Sequence, residues 1–179
     1  MALSDILAEN RKHLIDRWSE AVLQTYPLDT VGFLRKQDDP FANPVGDRTR
    51  KAVTALVDIL MGETMDTDDL EAALDDMMRM RSVQDFTPGA AVGVIFHVKT
   101  LVRELVRKRL KREPALAAEL LQFESKVDSV ALISFNIHSR CREEVYELRV
   151  REIKNQHARL LKRAKMLYED PAEEPKTKQ

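Results

Sequence analysis

Apolar positions recur with helical spacing almost from the first residue of this chain. Leu3, Leu7, Leu14, Trp18 and Val22 fall four or seven residues apart, which is the signature of one buried helix face. Ser4 offers a cap and Pro27 a stop, so a first helix is predicted between them. A short helical turn over 28–36 should follow, then an ordered loop over 37–47, broken by Pro40, Pro44 and Gly46 and anchored by an inward Phe41. Val53, Leu56, Val57 and Leu60 predict a second helix from Asp47 to Met61, with Gly62 at its C-terminal cap. Asp66 or Thr67 caps a third, whose first turn holds Asp68, Asp69 and Glu71, where carboxylates suit the helix dipole. Leu70, Leu74, Met77 and Met78 form its apolar side. After an interruption over 82–86, Thr87 as cap and Pro88 in first position open a fourth helix running to Arg112. Val94, Val98, Leu101 and Leu105, widened by Ile95, Val102 and Val106, should bury it on more than one side, with Phe96 pointing elsewhere into the interior.

The C-terminal half has a different texture. From Val94 to Asp170 there is no glycine, and the single proline, Pro114, suits the first position of a fifth helix. Globular helices rarely run that far unbroken, so a short helix to Gln122, a kink near Ser125 and a long last helix are predicted. Val127 to Cys141 is apolar nearly all round, through Val130, Ala131, Leu132, Ile133, Phe135 and Ile137, and is assigned to the core. Beyond it Tyr146, Val150, Ile153, His157, Leu160, Ala164 and Leu167 alternate at spacings of four and three among Arg, Lys, Glu, Asn and Gln. This is a heptad seam, expected to pair with a second copy or a partner helix rather than to lie as a solvated face. The expected organisation is a helical domain over 1–145, a coiled-coil extension of its last helix over 146–170, and a disordered tail over 171–179 rich in Pro, Glu and Lys.

Composition narrows the class. Only five glycines and seven prolines occur in 179 residues, and all five glycines precede Val94, so an all-β fold with its many turns is excluded and an all-α fold expected. Gly89 and Gly93 are the only close pair and are read as permitting tight helix packing. Hydrophobic residues make up 44% of the chain, and 29 basic residues nearly balance 30 acidic ones. That balance speaks against a nucleic-acid coat. It conceals two blocks: Glu63 to Asp76 is purely acidic among its charges, and Lys99 to Arg112 is basic but for Glu104. Dipole complementarity and solvated faces are the expected account of both, with a basic docking surface for an acidic partner or phosphate backbone as the alternative; no aromatics interleave the bases to stack on a single strand. No run is long enough to insert in a membrane, and Met1 to Asn10 does not read as a secretory signal. With Cys141 as the only cysteine, a reducing, cytoplasmic setting fits best.

Candidate chemistry is sparse. His13, His97, His138 and His157 lack the spacing of a metal site, and no Walker or Rossmann glycine loop exists, so no enzyme, metal or cofactor is expected. His138, within an apolar stripe one turn before Cys141, and His97, at the edge of its stripe, are the only residues placed to ligate a haem. A lone histidine on an apolar face is more often a core residue. His157 sits on the seam, where protonation would oppose pairing.

Trp18, the loop Phe41-Ala42-Asn43-Pro44-Val45, and above all Arg81-Ser82-Val83-Gln84-Asp85-Phe86-Thr87-Pro88 leading to Phe96-His97-Val98-Lys99 resemble the N-terminal domain of the RsbRD group of RsbT co-antagonists, which are stressosome components. The likeness covers about Leu3 to Arg151. It implies a globin-like helical domain, usually without haem, that forms a homodimer and passes a stress signal through its last helix to a C-terminal STAS domain. This sequence instead ends in a short tail, which implies an input module without that output. A regulatory partner protein or small-molecule signal is implied as well, and a haem-binding gas or redox sensor is the alternative. Trp18, Phe86, Phe96 and His138 are expected in the interior.

Overall fold

A computed structural model of the chain describes residues 2–26, 43–62, 66–84 and 86–168, with side chains to 164. The predicted turn over 28–36, the inward Phe41, Pro27, Asp85, the side chain of Leu167 and the tail lie outside the described residues. The fold is all-α. Among the described residues the helices are α1 (Leu3–Glu9), α2 (Arg11–Leu23), α3 (Pro44–Met61), α4 (Thr67–Val83), α5 (Pro88–Gly93), α6 (His97–Val106) and α7 (Pro114–Tyr168), with a 3₁₀ turn at Val94–Phe96. The chain divides into two compact units, Met1–Arg142 and Glu143–Gln179.

The expected first helix is two. Its cap is Ala2 rather than Ser4, and Asn10 ends α1 and begins α2. The Asn10 amide donates to the Ile6 carbonyl at 2.8 Å, a local bond that competes with helix continuation. The break preserves the phase of the stripe, because Leu3, Leu7, Leu14, Trp18 and Val22 are all buried. Helix α3 starts earlier than Asp47, at Pro44. Asn43 caps it by accepting from the Gly46 amide at 2.8 Å, a contact that a side chain on Gly46 would crowd out. Its far end differs from expectation only in geometry: Gly62 is extended, and Lys126 donates to its carbonyl at 2.7 Å. Asp66 caps α4 through bonds from Asp68 and Asp69, and Thr87 and Pro88 open α5. Helix α4 continues through Ser82 to Val83 before the chain turns.

The predicted fourth helix is broken twice. At Val94–Phe96 the ladder tightens to a 3₁₀ turn, and there the buried Trp18 indole donates to the Val94 carbonyl at 2.8 Å. A side chain inserted into the ladder is a recognised cause of such irregularity. The helix then ends at Val106, followed by turns through the basic run Arg107 to Arg112. Like charges and the restriction that Pro114 places on Glu113 both disfavour helix there. Phe96 is 42% exposed, not interior. Among the described residues, nothing beyond the chain neighbours and the helix's own backbone lies within 4 Å of a methyl added at Gly89 or Gly93, so the close packing expected of the pair is not seen there.

The predicted division into a short helix ending at Gln122 and a separate last helix is absent, because α7 is one helix of 55 residues. Its serines do not break it: the Ser125, Ser129 and Ser134 hydroxyls each donate to the carbonyl four residues earlier, at 3.0, 3.2 and 2.7 Å. Nor is 127–141 buried all round, since Leu132 and Phe135 are 69% and 48% exposed. Leu116, Leu120, Phe123, Val127, Val130, Ile137 and Cys141 form its buried face, in one cluster with Leu7, Trp18, Leu56, Leu74 and Ile95. Ion pairs border the core. Arg103 grips Glu124 at 2.6 and 2.8 Å, Lys99 meets Asp128 at 2.5 Å, and Arg11 binds Asp58 with two bonds of 2.7 Å.

Candidate functional site

The most unusual interior feature grows out of the apolar stripe of α4. Leu70, Leu74, Met77 and Arg81 fall at spacings of four and three, so an arginine occupies a core position. Arg81 is fully buried. Its Nη2 donates to the Thr25 hydroxyl at 3.0 Å and to the Ala90 carbonyl at 2.9 Å. Phe86 covers the guanidinium at 4.0 Å and Tyr26 lies 5.5 Å from it, the two rings meeting edge to face at 5.2 Å. The Phe86 amide closes the corner on the Arg81 carbonyl at 3.2 Å. Nε and Nη1, however, have no acceptor among the described residues. Burial lowers the guanidinium's pKa, and the charge and hydrogen bond of Tyr26 counter that effect. Burial likewise raises the pKa of Tyr26, against the charge and hydrogen bond of Arg81.

His138 is fully buried, and neither ring nitrogen has a hydrogen-bond partner among the described residues. Its pKa is lowered by burial first and then by the positive charges of Arg142 and Arg81, so the imidazole is held neutral. Cys141, one turn on, is also buried. His97 is in a different setting: it is exposed on a shallow groove of ≈ 430 Å³ with Arg17, Glu20, Phe96 and Glu104. Among the described residues no three His, Cys, Asp or Glu side chains cluster as a metal site requires. No described helix is long and apolar enough to cross a membrane.

The second candidate surface lies in Glu143–Gln179. Tyr146, Val150, Ile153 and Leu160 are 51%, 49%, 52% and 60% exposed, and His157 and Ala164 are exposed beside them. The charge blocks are partly spent on local pairs: Lys99 and Arg103 on α7 acids, and Glu71 and Asp75 facing Arg140 at 3.9 Å.

A family model described as the RsbT co-antagonist protein rsbRD N-terminal domain matches residues 12–153 of this chain. The chain belongs to that family. An uncharacterised protein of Archaeoglobus fulgidus is similar to it, 23% identical over 148 residues that cover 80% of this chain and 84% of the relative. No solved structure matches.

The residues that carry the RsbRD resemblance have separate structural duties. Trp18 ties α2 to the 3₁₀ turn, Asn43 and Pro44 start α3, and Phe86 stacks on Arg81. Val83 and Gln84 are exposed at the end of α4. The structure thus gathers Arg81 and Phe86 of the motif with Tyr26 and Thr25. Sequence reasoning did not single out Arg81, Tyr26 or Thr25 as site residues. The available signal was a cation at the core phase of α4.

Proposed function

We propose that this chain is a non-enzymatic, cytoplasmic input module of the stressosome type, a globin-like helical domain that forms a homodimer through the seam and signals to a partner protein through its last helix. Membership of the RsbRD N-terminal domain family supports the regulatory class. The observation that carries the reading is the apolar seam: four large side chains at heptad spacing, each about half exposed or more in the single chain. An isolated apolar face of this kind gains stability when a second helix covers it, and knobs-into-holes pairing requires this spacing. Glu147, Arg149, Lys154 and Gln156, which flank the seam in this register, suit the rim of such a pair.

The test is sedimentation of the protein and of an Ile153→Asp, Leu160→Asp variant. The intact protein should sediment as a dimer and the variant as a monomer with unchanged helicity. A monomeric parent, or a variant that stays dimeric, overturns the pairing.

A further inference from the structure

The seam is small for a stable pairing. About four positions of each heptad touch the partner in a paired coil, so Tyr146 to Ala164 offers roughly eleven residues a side. A stable interface takes about 20–30. Counting back by sevens from Leu160, Ile153 and Tyr146 gives Ser139, Leu132 and Ser125, and from His157 and Val150 it gives Glu143, Asn136, Ser129 and Gln122. Glu143 alone of these seven earlier positions is charged, and it belongs to the second unit. The other six belong to the first unit. Each stands two residues on from a buried position of α7, which is about 200° round the helix, on the face turned away from the core. All six are exposed and uncharged, in a chain with 33% charged residues.

This outer face can lose water at little cost. Leu132 is 69% exposed and Phe135, on the same side, 48%. Asp128, one turn before Leu132, accepts from Lys99 Nζ at 2.5 Å, and that ammonium lies 5.5 Å from the ring of Phe96, a third exposed apolar group. The Ser125 and Ser129 hydroxyls donate to the Leu121 and Ser125 carbonyls of their own helix, so covering them strands no donor. The charges that border the face are spent on one another, Lys99 on Asp128 and Arg103 on Glu124. Two like faces can therefore meet across a two-fold axis without opposing unpaired charges, whereas a strongly charged partner would find no complement there. We infer that the outer face of α7 around Leu132 and Phe135 is a second dimer contact, packed against the same face of a second copy. The inference rests on the homodimer reading and extends it into the first unit. Pairing seam with seam and this face with itself requires the two α7 helices to run parallel and in register. The added stretch from Gln122 to Ser139 contributes about ten residues a side, which brings the total to the size that the seam alone lacks.

Sedimentation of full-length variants over a range of concentrations tests this. Leu132→Asp with Phe135→Asp alters only exposed side chains, so helicity should be unchanged. The dimer dissociation constant should rise about a hundredfold or more, because the new carboxylates face one another across the axis. In a second measurement, Ser129→Cys should form a disulfide-linked dimer under mild oxidation, since it meets its own copy in a parallel pair. Lys51→Cys, exposed on α3, and the parent, whose single Cys141 is buried, should not. A Leu132→Asp, Phe135→Asp variant that stays dimeric, or a Ser129→Cys that cross-links no better than Lys51→Cys, overturns the proposal. So does a variant that stays dimeric and instead loses another bound protein, which assigns the face to that protein. Should the double variant not fold, the cross-link still decides. The Ile153→Asp, Leu160→Asp variant separates the two readings: if it stays dimeric while the Leu132→Asp, Phe135→Asp variant dissociates, the seam is removed and the α7 face stands, and the reverse result removes the face and keeps the seam.

Discussion

Two stretches of α7 carry the same rhythm and meet opposite fates. In the first unit, Leu116, Leu120, Phe123, Val127, Val130, Ser134, Ile137 and Cys141 step by four and three, and every one is buried. In the second, Tyr146, Val150, Ile153, His157, Leu160 and Ala164 step the same way and are exposed. The rhythm skips between them, with five residues from Cys141 to Tyr146, so the seam is not the core stripe continued. Periodicity identifies a face that is stabilised by cover. It does not say whether the cover comes from the same chain.

Aspartate substitution separates the two stretches most sharply. Val130→Asp places an unpaired charge in the core and should unfold the first unit, a loss of several kcal/mol, read by the collapse of the urea transition. Ile153→Asp with Leu160→Asp should leave that transition in place while abolishing association, so a parallel loss of stability would show that the seam is covered by its own chain. The next effect belongs to His138. Its folded pKa lies below the ordinary 6.5, so the unfolded state binds the extra proton as pH falls. The His138 contribution is therefore intact above about pH 6.5 and declines below it, by at most about 1.4 kcal/mol per pH unit, until the folded imidazole itself protonates. Unfolding free energies measured across that window should fall less steeply in His138→Gln; equal slopes would place the acid sensitivity elsewhere.

Smaller still is Gly93→Ala. With no tertiary neighbour among the described residues within 4 Å of the added methyl and an ordinary helical backbone, it should stabilise by about 0.5–1 kcal/mol in denaturant melts. Destabilisation would restore a packing role to that glycine. The least change in stability is expected from Arg103→Gln at the exposed rim of the buried stretch. There the carboxyl of Glu124, held below its usual range by the hydrogen bond from Arg103, should titrate higher in an NMR pH series.

Helix starts were legible where a side chain caps them locally. Asp66, Thr87 and Pro88 act within three residues of their own position, and the sequence shows both partners together. Asn43 was harder, because Asp47 offers an equally plausible start and the choice rests on the Asn43 bond to Gly46. The breaks at Asn10 and at Val94–Phe96 were hidden for different reasons. The first preserves the apolar phase and so leaves no periodic trace. The second coincides with an indole arriving from 76 residues away. The continuity of α7 runs against the usual length of globular helices, and its serines permit it by satisfying their hydroxyls inside the helix.

The sequence by itself determined the helical class, the main apolar faces, the local caps and the family, since each depends on residues close together in the chain or on a motif read in order. Tertiary structure alone decided that Phe96, Leu132 and Phe135 face outward, and that Arg81 is enclosed by Tyr26 and Phe86. The physical reason is shared by all of these. A side chain's burial and electrostatic environment come from what packs against it, and the groups that surround Arg81 come from separate helices and turns whose meeting no local pattern records.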